Sequence, residues 1–257
     1  MKKVLSVIAC TAALLSTPTF AKQVRLASDF TYPPFNYKDQ SGNPTGFDIE
    51  IADALCAEAK LDCTWVAQNW DSLIPSLLAR KSDVIMASMR ITEERKKRVL
   101  FTNKYYQTPA RFVTAMDAKV DISAQGMKDK VIGVQGGTIH DRYVTDKFGD
   151  VAEIKRYTGQ DEVYIDMVNG RLDLTFGNSD QLALAFLAKE IGQGFKFVGN
   201  PVTDKAYIGE GTALAMRQSD KALTEKFNKA IVAIRTNGTY DKIAKKYFSF
   251  DIYGEEL

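Results

Sequence analysis

From residue 23 onward the chain alternates two kinds of segment, and it does so twice. Short apolar runs at 23–27, 63–67 and 84–87 read as strands. Between them, Phe47, Ile51, Leu55 and Ala59 recur every four residues and make one helical face. Leu73, Ile74, Leu77 and Leu78 make a second, with Pro75 tolerable only near that helix's start. The pattern then restarts, with strands at 131–134, 154–157 and 172–176 and helices at 139–147, 161–169 and 180–189. A β-α-β-α-β order calls for an open, mostly parallel sheet with helices on both faces. Two such orders imply two α/β lobes of similar plan, although no sequence repeat relates them. The tail returns to helices: Leu223, Phe227, Ile231 and Ile234 line one face, and 240–248 makes the last. In open α/β sheets, ligands bind beyond the carboxyl ends of the strands. The loops at 29–35, 68–71, 88–92, 135–140 and 176–180 are therefore the ones to inspect.

The N-terminus follows a different rule. Lys2 and Lys3 precede an apolar run at 4–15, and Thr19-Phe20-Ala21 supplies small residues at the −3 and −1 sites. This is the pattern of a secretory signal at 1–21, cleaved after Ala21. Val7-Ile8-Ala9-Cys10 loosely fits a lipidation site, but the apolar run before Cys10 is short for lipid anchoring. No later segment has 18 apolar residues. Removal of 1–21 takes away two lysines and no acid, so the formal charge of +2 falls to zero. The Lys-rich pieces at 94–98 and 242–246 have acids interspersed and read as solvated helix faces. Such a chain is a poor nucleic-acid binder.

Once Cys10 leaves with the signal, Cys56 and Cys63 remain as an even pair in an oxidising compartment. Their disulfide would be local, joining a helix to the next strand. A redox motif needs tighter spacing, and a zinc site needs more ligands.

The stretch 86–95, MASMRITEER, carries the most chemistry. It leaves a buried strand, turns through small and polar residues, and starts a helix at Thr92. Glu93 and Glu94 occupy the first turn, where the helix dipole favours acids, and Arg95 projects from it. A strand end, a polar loop, a helix N-terminus and one arginine suit a carboxylate. Gln135-Gly136-Gly137-Thr138 lies between another strand and helix, where glycines let backbone N–H groups approach an anion. It lacks the Walker ending and is not GxGxxG, so a plain turn is equally compatible. His140 is the only histidine. A lone histidine in a first helical turn is more often a surface or cap residue. With no Ser-His-acid set beside it, neither nucleophilic hydrolysis nor metal catalysis is indicated. Tyr32, stiffened by Pro33 and Pro34, and Trp70 could wall a stacking site, although aromatics are more often core. Asp29 could neutralise a ligand cation.

TYPPF at 31–35, GFDIEIADALC at 46–56, WDSLIPSL at 70–77 and ITEERKK at 91–97 together carry a resemblance. GTIH at 137–140, NGRLD at 169–173, NGTYDKIAKKYF at 237–248 and the FDIYG tail extend it over the whole mature chain. The chain resembles the periplasmic solute-binding proteins of polar amino-acid ABC importers, within the lysine/arginine/ornithine and histidine branch. That resemblance implies a two-lobed periplasmic-binding-protein fold. Lobe 1 would comprise 22–109 and 210–257, and lobe 2 would comprise 110–209. Two hinge strands, near 108–112 and 206–212, would join them. It also matches the Cys56–Cys63 bridge. It implies a monomer that hands a small amino acid or derivative to an inner-membrane ABC permease, without cofactor or metal. The alternative is a periplasmic cyclohexadienyl-type dehydratase on the same fold.

The resemblance also implies roles. Arg95 would clamp the ligand α-carboxylate, helped by the Thr92 neighbourhood and the Ile139 N–H. The Ser88 hydroxyl would hold the α-ammonium, between Ala87 and Met89. Tyr32 and Trp70 would sandwich the side chain, and Asp29 would meet a distal amine or guanidinium. Gln135, Thr138 and His140 would line the second lobe. Two positions depart from the branch: Arg90 stands where a small residue is usual, and Asn178 where an acid usually meets the α-ammonium. Together they add two units of positive charge against a free ammonium. Three explanations follow. The ligand is a carboxylated or N-substituted, opine-like derivative; or Asp180 replaces the acid by a shift; or Arg90 snorkels to solvent.

Overall fold

The computed structural model describes residues 23–254. The expected signal at 1–21 and Cys10 lie outside the described residues.

The described chain builds two five-stranded sheets of one plan. In the first, Val24–Ser28 lies between Cys63–Ala67 and Val84–Ile85 and is parallel to both. Ala215–Arg217 follows, antiparallel to Val84–Ile85 and to the edge strand Val99–Phe101. In the second, Val131–Gln135 lies between Glu153–Tyr157 and Leu174–Asn178 and is parallel to both. Ala110–Ala115 follows, antiparallel to Leu174–Asn178 and to Phe195–Val202. Each sheet therefore runs mostly parallel with one reversed strand in fourth place. The reversed strand is in each case the one by which the chain enters from the other sheet. A three-stranded sheet of Thr31–Tyr32, Asn36–Lys38 and Pro44–Thr45 sits apart, with a cis peptide at Pro33-Pro34.

Side-chain alternation along the strands builds a core on each face of each sheet. Leu26, Val84, Met86 and Met216 pack with Phe47, Ile51 and Leu55 of helix Phe47–Glu58. The tail packs there too, through Phe227, Ile231 and Ile234 of helix Lys221–Thr236 and through Tyr240 and Phe248. Ala27, Ile85, Ala87 and Ala215 face the other way, onto Leu73 and Leu77. In the second sheet, Phe112, Ile132, Val134, Leu174 and Phe176 pack with Val144 and Phe148 of helix Ile139–Phe148. Val113 and Leu172 turn to Val163, Met167 and Phe186.

Cys56 and Cys63 form the disulfide that joins helix Phe47–Glu58 to strand Cys63–Ala67, with Cα atoms 6.3 Å apart. The expected helix at 180–189 is not regular. One α-helical turn, Ser179–Gln181, passes into a π-helical turn, Leu182–Leu187. The Ala188 N–H reaches five residues back to the Ala183 carbonyl, where Phe186 stacks on Tyr164. Tertiary packing there overrides the regular period.

Two segments connect the sheets, and they lie side by side. Thr212 on the return segment bridges both Arg90 and Tyr106. Its N–H donates to the Tyr106 carbonyl and its carbonyl accepts from the Tyr105 N–H, both at 2.8 Å. This seam brings the loop after Val84–Ile85 against both crossings, and it places Arg90 beside Thr108.

Candidate functional site

The strand-end loops of the two sheets meet across a narrow, nearly closed cavity with an open volume of about 30 Å3. Asp29, Tyr32, Trp70, Ala87, Ser88, Arg90 and Arg95 line it from the loops of the first sheet. Gln135, Thr138, Ile139, His140 and Asn178 line it from those of the second. The walls touch at the rim. The Trp70 indole N–H donates to the Gly137 carbonyl at 3.3 Å, and Arg142 pairs with Glu94 at 3.4 Å. Gly137 has φ +66, a left-handed backbone that favours glycine, and a Cβ there would push the Asp71 carboxylate aside.

Met89 is the sequence candidate that does not line the cavity. It is buried in the apolar cluster with Ala27, Leu73, Leu77 and Ala87, because its backbone pairs with Ala213 and turns the side chain inward.

Arg95 extends from the first turn of helix Glu93–Lys96, which Thr92 caps through its hydroxyl. Its guanidinium lies over the Trp70 ring, 5.3 Å from the centroid, and Nη1 donates to the Arg90 carbonyl at 3.1 Å. Among the described residues no carboxylate forms an ion pair with it. Burial first, with the Arg142 and Arg90 charges and against that of Glu94, pulls its pKa down to about 10. It remains a cation at neutral pH. On the facing wall, Thr138 caps helix Ile139–Phe148 and donates to the Gln135 carbonyl at 2.8 Å. Gln135 Nε2 in turn donates to the Thr158 carbonyl. The positive end of that helix thus opens at Ile139, opposite Arg95.

Ser88 holds a positive φ of 53, uncommon for a residue with a side chain. Its hydroxyl donates to Asp48 Oδ2 at 2.8 Å. Asp48 also accepts from Asn36 Nδ2 at 2.9 Å and from the Tyr105 hydroxyl at 2.8 Å. Burial pushes the Asp48 pKa up, and these three donors work against that. Sequence reasoning did not single out Asp48. The signal was there: an acid three, four and seven residues before Ile51, Ala52 and Leu55, on the buried face of its helix.

Asp29 takes a bond from Thr31 Oγ1 at 3.2 Å, and its Oδ1 is buried without a partner. Burial raises its pKa to about 6, against the Thr31 bond. Tyr32 stacks on Phe35 at 5.8 Å. His140 packs edge-on against Phe176, and its Nε2 is buried without a partner. Burial, reinforced by Arg90 and Arg95, lowers its pKa to about 3, so the ring is neutral at physiological pH. No cluster of three or more His, Cys, Asp or Glu able to hold a metal occurs among the described residues.

Arg90 does not snorkel. It is 4% exposed, and its Nη2 donates to the Thr108 carbonyl at 2.7 Å and to Thr108 Oγ1 at 2.5 Å. Its Nη1 is buried without a partner. Asn178 donates from Nδ2 to the same Thr108 Oγ1 at 2.7 Å. Its Oδ1 accepts from the Asp180 and Gln181 N–H groups and caps the next turn. Asp180 does not line the cavity, and its Oδ2 is buried without a hydrogen-bond partner; burial raises its pKa, and the nearby Arg90 charge works against that.

The two-sheet frame agrees with the comparisons with known proteins. A family profile described as bacterial extracellular solute-binding proteins, family 3, matches residues 24–250. The chain belongs to that family. It is 46% identical to the L-arginine-binding protein of Pseudomonas aeruginosa, over 99% of each chain. It is 37% identical to the lysine/arginine/ornithine-binding periplasmic protein of Escherichia coli, over 96% of each. A solved ancestral amino acid-binding protein, described as a precursor of cyclohexadienyl dehydratase, superposes with a TM-score of 0.78 at 30% identity. That match covers 88% of this chain and 96% of the other.

Proposed function

We propose that this chain is the periplasmic receptor of an ABC importer and binds a polar amino acid or a derivative of one. In this reading it is secreted by its N-terminal signal, works as a monomer, and delivers ligand to an inner-membrane permease. The observation that carries the reading is Arg95. A cavity-lining cation lies over the Trp70 ring, has no carboxylate partner among the described residues, and shares the cavity with Ile139 at the N-terminus of helix Ile139–Phe148. A ligand carboxylate would satisfy both. The curated relatives, named for arginine and for lysine, arginine and ornithine, support a distal cation at Asp29.

Closure would join a lobe of 22–109 and 210–257 to a lobe of 110–209 by rotation about the paired crossings. Each lobe supplies part of the site, so ligand favours the closed state by differential contact. The dehydratase alternative has less support. Asp29 Oδ1 and His140 Nε2 each lack a hydrogen-bond partner and form no proton-relay pair.

Calorimetry on the mature protein, with arginine, ornithine, lysine, histidine, glutamine and their N-substituted derivatives, tests the reading. At least one should bind, and Arg95→Ala should weaken it on the order of 100-fold, as expected for a buried charge pair that loses one partner. Turnover of prephenate-like acids, with no binding across the panel, would replace the receptor by the enzyme.

A further inference from the structure

The π-helical turn Leu182–Leu187 belongs to the second sheet's lobe, yet its side chains divide between the two lobes. Leu182 and Phe186 are buried with Val163, Tyr164 and Met167, and Ala185 and Leu187 pack against the same cluster. Leu184 does not join them. It packs on the first sheet's core, the cluster that holds Phe35, Phe47, Tyr106 and Phe248. On a helical turn, residues two apart point to nearly opposite sides. With Leu182 and Phe186 held inward, Leu184 faces away from its own lobe's core, and it is half-buried there.

The turn is well held on its own side. Phe186 stacks on Tyr164 with ring centroids 4.6 Å apart, and the Tyr164 hydroxyl donates to Gln181, just before the turn. The Ser179 N–H donates to the Pro109 carbonyl at 3.0 Å, at the first crossing between the sheets. Leu184 lies beyond that anchor and outside both crossings, so rotation about them moves it against the first-sheet core. Gly159, which caps the helix carrying Tyr164, approaches the first lobe as well: a Cβ there would lie 4.0 Å from Thr31 Oγ1. The rim contact of Trp70 with Gly137 is present in the same arrangement.

We infer that Leu184 is a positioning residue for closure: the π-helical turn seats it on the first-sheet core when the lobes close, so the closed state gains apolar burial that no ligand supplies. This rests on the two-lobe closure reading and adds an apolar component to it. Leu184 does not line the cavity, so it touches no ligand held there. Its contact acts on the open–closed equilibrium alone, and affinity for any ligand scales with the population of the competent state. Loss of the contact should weaken all ligands by one factor and leave their order unchanged.

Calorimetry with L-arginine, L-lysine, L-ornithine and L-histidine decides it. Leu184→Ala should weaken each one that binds about fivefold, as expected for uncovering part of one leucine, with the ratios between ligands unchanged. Leu184→Met, which keeps the apolar bulk, should restore affinity. Leu187→Ala, in the same turn but packed in its own lobe, should lower the urea midpoint without changing affinity. Should Leu184→Ala not fold, Leu184→Val carries the same test with a smaller shift. A folded Leu184→Ala that binds as tightly as the unsubstituted protein overturns the inference and leaves the receptor reading intact. Leu187→Ala weakening binding as much also overturns it, because the integrity of the turn would then be what matters. If none of the four binds, the receptor reading falls, and small-angle scattering of the ligand-free proteins decides instead. A larger radius of gyration in Leu184→Ala supports the inference, and an unchanged one overturns it.

Discussion

The Ser88 hydroxyl donates to the buried Asp48 carboxylate at 2.8 Å, and that bond sets which way Ser88 can serve a ligand. A serine whose hydrogen is held elsewhere presents lone pairs. Asp48 is itself held by Asn36 and Tyr105, so the orientation is built into the first sheet's core before any ligand arrives.

Asp48→Asn should therefore cost both stability and binding. An amide at 48 turns an N–H₂ toward groups that are themselves donors, and one buried donor loses its acceptor. The expected destabilisation is about 1–3 kcal/mol, read by urea unfolding. Ligand affinity should fall about tenfold, because Ser88 is freed to rotate. Unchanged affinity in a destabilised variant would show that Ser88 does not accept from the ligand.

Asp29 predicts a pH dependence. Its pKa in the free protein is about 6, raised by burial above the ordinary carboxylate range. A raised folded-state pKa contributes stability at low pH that is lost as pH climbs through 6. The free protein should accordingly lose some stability between about pH 4 and pH 6 from this group. A ligand cation beside Asp29 favours the ionised form, so binding there releases a proton. Affinity for a ligand with a cationic side chain should rise with pH up to about 6 and then level. Calorimetry in buffers of different ionisation enthalpy should show proton release near pH 5.5 and none near 7.5. An affinity flat from pH 5 to 7 would exclude Asp29 from the contact.

Asp83 behaves in the opposite sense. It is buried, and its two oxygens take Arg25 and Arg217 at 2.9 Å each. Burial alone would raise its pKa, but the Arg25 and Arg217 bonds prevail and hold it at about 2. The stabilisation, on the order of 2 kcal/mol, is present above the unfolded pKa of about 3.9 and is lost as pH falls through 2. Arg217 also donates to the Leu77 and Ser82 carbonyls, so the pair ties the reversed strand Ala215–Arg217 to the earlier chain. Asp83→Asn should lower the unfolding free energy at pH 7, read by urea titration, by at least this amount. The difference from the unsubstituted protein should shrink as pH drops from 4 to 2. A constant difference would point to packing rather than charge.

Periodicity alone determined much of this protein. Four-residue spacing from Phe47 to Ala59, and the apolar runs at 23–27 and 131–134, specify a buried stripe and buried strands wherever they are placed. Loops at strand ends then follow from topology, which is why Asp29, Tyr32, Trp70, Arg95 and Thr138 could be chosen before any coordinates. Periodicity says less where side chains from distant segments compete for one space. The reversed strands Ala110–Ala115 and Ala215–Arg217, the π-helical turn at Leu182–Leu187 and the inward turn of Met89 depend on partners far along the chain. Asp48 gains its role only where Asn36, Ser88 and Tyr105 converge on it in the folded chain. Arg90 shows the boundary most clearly. Its sequence position admitted a pocket residue or a solvent-facing one. Only the packing of its loop against Thr108 and Thr212 buries the guanidinium.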